Sequence, residues 1–516
     1  MSTKKKLVKS TAIISSGIMT SRILGFIRDI LIANFFGTKM FAQAFVIAFT
    51  IPNALRQLVA EGAVNTVMVP VLTEYYTTRS KNEFLRFANV LFNLFLIALL
   101  FITIGGILAT PFLIKVIAPG FIINPEKLSL TIELTKILFP YILLVGLTAY
   151  CIGVLHTLNR FAAPAFGSVV LNATIIGGLL IFYPNVNILH LVFAVLIGGV
   201  LQLLLQVFPL LKIGRFFDIR AGLSHKGAGK VGSLFLPRII GAGVYQINIV
   251  VDRMLASLQL IAGQGAIAAL YYGNRLFQFP LALFAIAIAT AALPTMSSLA
   301  AEKNIGKLKE IVSFSIRNMF FLSVPASVGL LLLSKPIIKV IFERGEFTSY
   351  ATEITSSVLF FYCIGLVAYG GIKILVTAFY AMQDTLTPVK IAFFCLLINI
   401  LFNVILMVPL KAGGLALATS ISGFVNFVSL FIMLRRRIGC FGERKILNSL
   451  LKILLASLIM GGVAYSLMTA VTWGGGVKDA VNLILIILLS IAVYLGLARI
   501  LRIKEMEVLV SWIRNI

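Results

Sequence analysis

The chain has few charged residues for its length. Asp, Glu, Lys and Arg make up 12% of its 516 residues, whereas 60% are hydrophobic and the mean hydropathy is +1.04. Soluble proteins cover their surface with charged and polar side chains, so this composition excludes a soluble globular protein. Acidic residues are the scarcer kind, since 18 Asp and Glu face 44 Lys and Arg, a net charge of +26. Without a soluble domain to present a basic face, this charge indicates membrane topology and predicts no nucleic-acid partner.

Residues that carry covalent chemistry are also scarce. The three histidines, His156, His190 and His225, are isolated near predicted loops, and neither a phosphate-binding Gly-rich loop nor a metal-ligand spacing occurs. The cysteines are dispersed and none forms a Cys-x-x-Cys pair, which favours small buried hydrophobic side chains. They are Cys151, Cys363, Cys395 and Cys440. The sequence therefore predicts a protein without covalent chemistry and without catalytic residues.

Apolar runs of about 20 residues, long enough for a helix to cross about 30 Å of hydrocarbon, recur along the whole chain. They predict an all-α polytopic membrane protein with about 14 transmembrane helices. The predicted spans are 8–36, 41–72, 87–113, 129–155, 161–183, 187–211, 232–260, 264–300, 313–334, 350–381, 389–409, 412–434, 448–472 and 479–500.

The distribution of Lys and Arg predicts the orientation of these spans. With the N-terminus inside, about 29 basic residues fall in cytoplasmic segments and about 8 outside, as the positive-inside rule requires. The richest cytoplasmic stretches are 212–238 and 435–437. Both termini are therefore expected in the cytoplasm.

A polar, Gly- and Lys-rich segment at 212–231 separates six predicted spans from the eight that follow. A shift of 228 residues aligns Gly37 with Gly265 and Pro52 with Pro280, which favours two homologous lobes over a chance alignment. We predict an N-terminal six-helix lobe (1–211), a cytoplasmic linker (212–231), a C-terminal six-helix lobe (232–436), and two additional transmembrane helices with a cytoplasmic tail (437–516).

Charges inside the predicted spans are concentrated on a few helices. Each costs about 2.5–3.5 kcal/mol on insertion scales, so a cluster lines water or pairs with another group. The basic members are Arg22, Arg28, Arg56, Lys136, Arg253, Arg275 and Lys373, and the acidic ones are Asp29, Glu61, Glu133 and Asp252. Pairing every acid leaves 7 − 4, or about three, positive charges uncompensated. This surplus predicts an anionic ligand.

The segment "TSRILGFIRDI" (20–30) carries part of this cluster. Arg22 and Asp29 lie about 20° apart around the helix, and Arg28 lies about 120° from Arg22. Gly25 lies beside them and is expected to leave room in a face that points to an interior.

Two further spans add polar groups around an arginine. "IPNALRQLVAEGAVNTVMVP" (51–70) holds Arg56 and Glu61 between two prolines, which predicts a bent or interrupted helix. In "YYGNRLFQFP" (271–280), Asn274 and Gln278 share one helix face around Arg275. Arginine suits phosphate because its planar guanidinium donates paired hydrogen bonds and stays charged.

A second constellation presents oxygen atoms that would suit Na⁺ as a coupling ion. Its members are Asp252, Asn399, Asn403 and Thr419. Hydrogen bonding between helices is the alternative role for the asparagines, and a structural pair is the alternative for Asp252 and Arg253.

The motifs resemble the MurJ (MviN) family of lipid II flippases, within the multidrug/oligosaccharidyl-lipid/polysaccharide exporter superfamily. They are "SRILGFIRD" (21–29), "IPNALRQLVAEGA" (51–63), "GNRLFQFP" (273–280), "FERGEFT" (342–348) and "AFYAMQDTLTPVKIA" (378–392). In two places the sequence departs from the family pattern. Asn274 stands where an acid is expected, and Met382 replaces an arginine.

The resemblance implies two six-helix lobes around a central cationic cavity in the bacterial cytoplasmic (inner) membrane. It implies export of lipid II, an undecaprenyl-pyrophosphate-linked peptidoglycan precursor, to the periplasmic leaflet by alternating access. The family's cavity arginines fall on Arg22, Arg28, Arg56 and Arg275, and Glu61 matches a family acid. Together with Asp29 and Asn274, which the residue patterns add, these are the predicted substrate-binding residues. Membrane lipids and other cell-wall synthesis proteins are the expected partners.

Three other functions compete with this interpretation. A related multidrug or polysaccharide-lipid exporter is the nearest alternative, although organic-cation exporters favour intramembrane acids rather than surplus arginine. An enzyme acting on polyprenyl phosphates needs a loop-borne acid, histidine or metal cluster that the sequence lacks. A non-enzymatic scaffold would be indifferent to loss of the arginines.

Overall fold

The structure of the chain is a computed structural model that describes residues 3–58, 64 and 67–507. Every regular element within these residues is helical, which confirms the predicted all-α class. The chain divides into two compact units, Met1–Leu258 (unit 1) and Gln259–Ile516 (unit 2).

Unit 1 is built from apolar helices of different lengths, and residues 212–225 connect its last two helices. Helices α1 and α8 pack side by side, and Gly17 makes this possible because a Cβ there would lie 2.5 Å from the carbonyl oxygen of Ala165. The helices are α1 (Thr3–Phe36), α2 (Met40–Ala48), α3 (Thr50–Arg56), α4 (Val69–Thr78), α5 (Lys81–Ile117), α6 (Pro125–Leu138), α7 (Pro140–Thr157), α8 (Ala162–Ile181), α9 (Ile188–Leu211) and α10 (Lys226–Ala256).

Unit 2 has the same kind of architecture. A π-helical segment, Leu281–Ile286, joins its second and third helices. The helices are α11 (Gln259–Ala262), α12 (Ala266–Pro280), α13 (Ala287–Ala301), α14 (Ile305–Leu332), α15 (Ser334–Phe342), α16 (Ser349–Ile364), α17 (Leu366–Ala381), α18 (Leu386–Ile438), α19 (Glu443–Ala470) and α20 (Gly476–Ile500).

Within the described ranges, nine helices are long and apolar enough to cross a membrane, and the pair α16 and α17, bent by 45°, makes a tenth if it forms one span. Helix α18 leaves helical geometry at Lys411 (φ 51°, ψ −132°), between the predicted spans 389–409 and 412–434. The polytopic membrane fold is confirmed, and the number of about 14 spans stays a prediction.

The predicted interruption between Pro52 and Pro70 is confirmed. Helix α3 ends at Arg56, α4 begins at Val69, and the described residues between them (57, 58, 64, 67 and 68) are π-helical. The shift of 228 moves 57 and 58 to 285 and 286, inside the π-helical segment of unit 2. This correspondence supports the internal repeat. The predicted lobe and linker boundaries stay predictions.

Three of the four cysteines are buried, as expected. Cys440 is exposed because it follows the end of α18 in a loop, so its assignment as a buried hydrophobic side chain was wrong.

Candidate functional site

Arg28 is bound by an acid on its own helix and an amide on the neighbouring helix. Its Nη2 and Nε donate to Asp29 Oδ1 at 2.8 and 3.1 Å, and its Nη1 donates to Asn172 Oδ1 on α8 at 2.8 Å. Asn172 Nδ2 in turn donates to the Ser21 carbonyl oxygen at 3.0 Å. Asp29 is 2% exposed, so this ion pair is held away from solvent. The guanidinium is therefore oriented before any ligand arrives.

Arg22 and Gly25 lie in different surroundings on α1. Arg22 is exposed, whereas Asp29, two turns further along, is buried. A Cβ on Gly25 would lie 3.5 Å from Asn172 Nδ2, an ordinary contact. Asn172 of α8 is therefore the neighbour that faces Gly25, and the expectation that Gly25 leaves room in an interior stays a prediction.

Arg56 lies at the end of α3, where α-helical geometry stops. It is half-buried, and its Nε donates to Asn53 Oδ1 at 3.2 Å. Arg56 and Arg28 both act electrostatically on the fully buried hydroxyl of Tyr141 at the start of α7. Arg28, Arg56 and Tyr141 all belong to unit 1. Glu61, predicted beside them, lies outside the described residues.

Helix α10 is fastened to the interrupted span by two polar contacts. Arg253 Nη1 donates to the Val46 carbonyl oxygen at 2.8 Å and to Thr50 Oγ1. Gln246 Nε2 donates to Gln57 Oε1 at 2.8 Å. Arg253 therefore has structural partners on α2 and α3. The sequence suggested only a pair with the adjacent Asp252.

The polar face of α12 in unit 2 is organised by contacts four residues apart. Arg275 Nη2 donates to the Tyr271 hydroxyl at 3.3 Å, and its guanidinium lies 5.2 Å from the centre of that ring. Gln278 Nε2 donates to Asn274 Oδ1 at 2.9 Å. Arg275 is exposed and Asn274 half-buried. The contact with Tyr271 therefore orients the guanidinium of Arg275.

The "FERGEFT" motif (342–348) packs against the buried side of α12. Phe342 and Phe347 pack on the fully buried Tyr272 at ring distances of 5.3 and 5.6 Å. Gly345 has φ 55°, which turns the chain between the two rings. Arg344 Nη2 donates to the Val340 carbonyl oxygen at 2.8 Å near the end of α15. The motif therefore fixes the helix that carries Arg275.

Asp384 holds the loop between α17 and α18. It accepts hydrogen bonds from Thr387 N at 3.0 Å and Thr387 Oγ1 at 2.7 Å, and from Arg437. Burial works against the charged form, but the Thr387 hydrogen bonds and the Arg437 guanidinium lower the pKa of Asp384 below its usual value. This acid compensates one arginine of the 435–437 run. Met382, the departure from the family pattern, lies at the end of α17 beside it.

Three members of the predicted Na⁺ site are joined in unit 2. Asn403 Nδ2 donates to Asn399 Oδ1 at 2.8 Å, and Asn399 Nδ2 donates to Thr419 Oγ1 at 3.4 Å. The two halves of α18 are thus bonded across the break at Lys411, which fits the alternative role in helix packing. The oxygens also suit a hard cation. Asp252 belongs to unit 1, so the complete set stays a prediction, and within the described residues no group of three or more His, Cys, Asp or Glu could hold a metal.

Sequence reasoning selected the arginines but missed most of their partners. Asn172 and Tyr141 come from helices far along the chain and give no local signal. Tyr271 was detectable because it lies one helical turn before Arg275.

Known proteins resemble this chain along nearly its whole length. A family model described as lipid II flippase MurJ matches residues 32–486. A lipid II flippase MurJ of Burkholderia cenocepacia is 32% identical over 438 residues, 84% of each chain. A Vibrio cholerae protein named a probable lipid II flippase MurJ is 34% identical over 519 residues, 98% of each chain.

Solved structures show the same relationship. A lipid II flippase MurJ in an inward closed conformation has a TM-score of 0.80 and 31% identity, covering 94% of this chain and 98% of that one. An inward-facing multidrug resistance MATE transporter of the MOP superfamily has a TM-score of 0.72 over 82% of this chain and 96% of its own. Its identity is 18%, so it shows the fold alone. Because the family model and the relatives both extend over most of the sequence, this chain belongs to the lipid II flippase MurJ family.

Proposed function

We propose that this chain is a flippase that moves lipid II from the cytoplasmic to the periplasmic leaflet of the bacterial cytoplasmic (inner) membrane by alternating access. The observation that carries the proposal is Arg28, which Asp29 and Asn172 hold in place inside a predicted span of a chain of the lipid II flippase MurJ family. It is a transporter, and its substrate leaves chemically unchanged.

The chemistry of the site suits a pyrophosphate-linked lipid. A headgroup with two phosphates cannot cross hydrocarbon without replacements for its hydration. Guanidinium groups supply charge and paired donors in fixed geometry. Arg28 is preoriented by Asp29 and Asn172, Arg56 by Asn53, and Arg275 by Tyr271. We assign substrate binding to Arg22, Arg28, Asp29, Arg56, Glu61, Asn274 and Arg275.

The proposed orientation has both termini in the cytoplasm, supported by the excess of Lys and Arg in the segments that it places inside. We propose that the membrane potential, or Na⁺ bound at the Asn399, Asn403 and Thr419 group, biases the transport cycle. We also propose that the protein contacts other cell-wall synthesis proteins, because its substrate is a peptidoglycan precursor.

The function is tested with purified protein in vesicles that contain fluorescent lipid II. We expect Arg28→Ala and Arg275→Ala to reduce lipid II movement between leaflets at least tenfold, because a lost charged hydrogen bond is worth about 1.5–3 kcal/mol. Arg444→Ala, at an exposed arginine of α19, is the matched control and should move lipid II normally. Equal thermal unfolding of all variants shows that they are folded.

Normal lipid II movement in both Arg28→Ala and Arg275→Ala would reject the arginine site. The competing polysaccharide-lipid exporter is tested in the same vesicles with an undecaprenyl-pyrophosphate-linked polysaccharide. Faster movement of that lipid than of lipid II would favour the alternative.

A further inference from the structure

The segment that connects α9 to α10, residues 212–225, is bound along α5. Asn89 Nδ2 donates to the Arg215 carbonyl oxygen at 2.7 Å, and Asn89 Oδ1 accepts from Asp218 N at 3.0 Å. Phe216 is 1% exposed, and its carbonyl oxygen accepts from the Tyr150 hydroxyl at 3.3 Å. The segment is therefore a docked part of unit 1 rather than a free linker.

A second asparagine, one turn further along α5, binds several carbonyls of the same segment. Asn93 Nδ2 lies 3.3, 3.0 and 3.0 Å from the carbonyl oxygens of Asp218, Ile219 and Gly222. Backbone outside a regular helix is tolerated at membrane depth only where its polar groups find partners within the protein. The amide of Asn93 supplies such a partner to three carbonyls at once.

The position of the asparagines on α5 gives the depth of the segment. The predicted span of this helix begins at residue 87, so Asn89 and Asn93 lie two and six residues inside it. At 1.5 Å per residue these are about 3 and 9 Å along the helix. Interfacial elements bury their apolar face about 5–10 Å into the boundary between headgroups and acyl chains.

The outer side of the segment is amphipathic. Ile219 is 72% exposed and Leu223 is 52% exposed, so two large apolar side chains point away from the protein. Arg215, Arg220 and Lys226 are exposed beside them. Apolar side chains flanked by long basic ones are typical of a surface that meets phospholipid, since the basic stems let the charges reach the headgroups.

We propose that residues 215–223 are a membrane anchor for the connection between α9 and α10. Ile219 and Leu223 insert between the acyl chains of the leaflet in which α5 begins, the cytoplasmic one in the proposed orientation. Arg215 and Arg220 reach the phospholipid phosphates. The partner is the bilayer surface, and the proposal does not depend on which substrate the protein transports.

Tryptophan fluorescence measures the insertion directly. Ile219→Trp is made in a background with Trp473→Phe and Trp512→Phe, and the protein is reconstituted in phosphatidylethanolamine and phosphatidylglycerol vesicles with brominated acyl chains. The aqueous control is Asn82→Trp in the exposed first turn of α5, and the lipid-facing control is Phe101→Trp, at a side chain that is 79% exposed. Because residue 219 is exposed, its replacement leaves internal packing intact.

We expect bromolipid to quench the fluorescence of Ile219→Trp at least twice as strongly as that of Asn82→Trp, and aqueous acrylamide to quench it less. The lipid-facing variant Phe101→Trp sets the upper limit of bromolipid quenching. Equal quenching of Ile219→Trp and Asn82→Trp by both reagents would overturn the anchor. The exposed apolar side chains would then be a surface for a soluble protein partner.

Release of the segment provides a second measurement. Asn93→Ala removes the donor from three carbonyls, so we expect trypsin to cut at Arg215 or Arg220 at least five times faster in vesicles than in the wild type. Asn82→Ala, on the same helix, should be cut at the wild-type rate. Wild-type cleavage of Asn93→Ala would contradict the docking role. The tryptophan measurement does not change Asn93, so it decides insertion even where Asn93→Ala does not fold.

Discussion

Tyr141 places a buried hydroxyl in the electrostatic field of Arg28 and Arg56. Its side chain is 0% exposed, and the hydroxyl has no hydrogen-bond partner among the residues that the structure describes. Leaving such a group unbonded costs about 1–3 kcal/mol. Packing accounts for an aromatic ring at this position, since the ring of Tyr141 lies 5.6 Å from that of Phe49. It gives no reason for the hydroxyl, because phenylalanine would pack equally well. We interpret the hydroxyl as a donor to the anionic headgroup when the arginines bind it.

Tyr141→Phe should therefore leave thermal stability unchanged or raised, and slow lipid II movement about fivefold, the value of one hydrogen bond of about 1 kcal/mol. Tyr150→Phe is the matched control, because the Tyr150 hydroxyl donates to the carbonyl oxygens of Ala88 and Phe216 at 3.0 and 3.3 Å. It should lose about 1 kcal/mol of stability. Thermal unfolding and the vesicle assay measure both effects. Equal loss of stability in the two variants would show that the Tyr141 hydroxyl has a structural partner.

The residue scale also shows what a sequence can and cannot predict about the site. The cost of intramembrane charge was sufficient to select Arg28 and Arg275. The pairing of Arg28 with Asp29 followed from their adjacency, whereas Asn172, 144 residues away, follows only from how α1 packs on α8. The same holds for Gly25, because helical angles give its direction without showing that Asn172 is the neighbour that lies there.

At the scale of elements, local sequence predicted where helices are interrupted better than it predicted the contacts between helices. Pro52 and Pro70 bound the interrupted span, and Pro280 precedes the π-helical segment of unit 2. Proline removes a hydrogen-bond donor wherever it occurs, so this signal is local. The contacts of Arg253 and Gln246 with the interrupted span connect residues about 200 positions apart and have no such signal.

The start of α10 contains a titratable cap. His225 Nδ1 accepts from Gly227 N at 3.1 Å, and its ring stacks on Phe87 at 5.0 Å. Burial lowers the pKa of His225 from 6.5, Arg86 lowers it further, and Glu83 acts in the opposite direction. The folded protein thus favours the neutral imidazole. Since the unfolded chain takes up the proton more readily, this stabilisation is present above pH 6.5 and is lost as the pH falls below it.

Thermal unfolding in detergent should therefore show lower stability at pH 5.5 than at pH 8. Because asparagine is a good N-cap that does not titrate in this range, His225→Asn should weaken the pH dependence. His190→Asn, which alters a cap in a different loop, should keep the component due to His225. An unchanged pH profile in His225→Asn would exclude this histidine as its source.

At the scale of the whole molecule, composition alone determined the class of protein and the motifs determined the family. A chain with 12% charged residues cannot form a soluble globular fold. Its net charge of +26 reflects the excess of Lys and Arg that the positive-inside rule predicts for cytoplasmic segments. The number of spans is harder to predict. The 53-residue helix α18 contains two predicted spans, and in a sequence a break inside one span looks like the boundary between two spans.

From the same charge balance we predict that transport is sensitive to voltage. Lipid II carries negative phosphate charge, and each elementary charge that crosses 100 mV contributes about 2.3 kcal/mol, or about 50-fold in an equilibrium. We expect an inside-negative potential imposed with K⁺ and valinomycin to accelerate outward movement of lipid II, and an inside-positive potential to slow it. Na⁺ coupling is separated by Asn403→Ala, which should abolish any Na⁺ dependence while voltage dependence persists. Equal transport rates at both potentials would show that the substrate charge is neutralised throughout the cycle, by arginines that move with it or by a counter-ion.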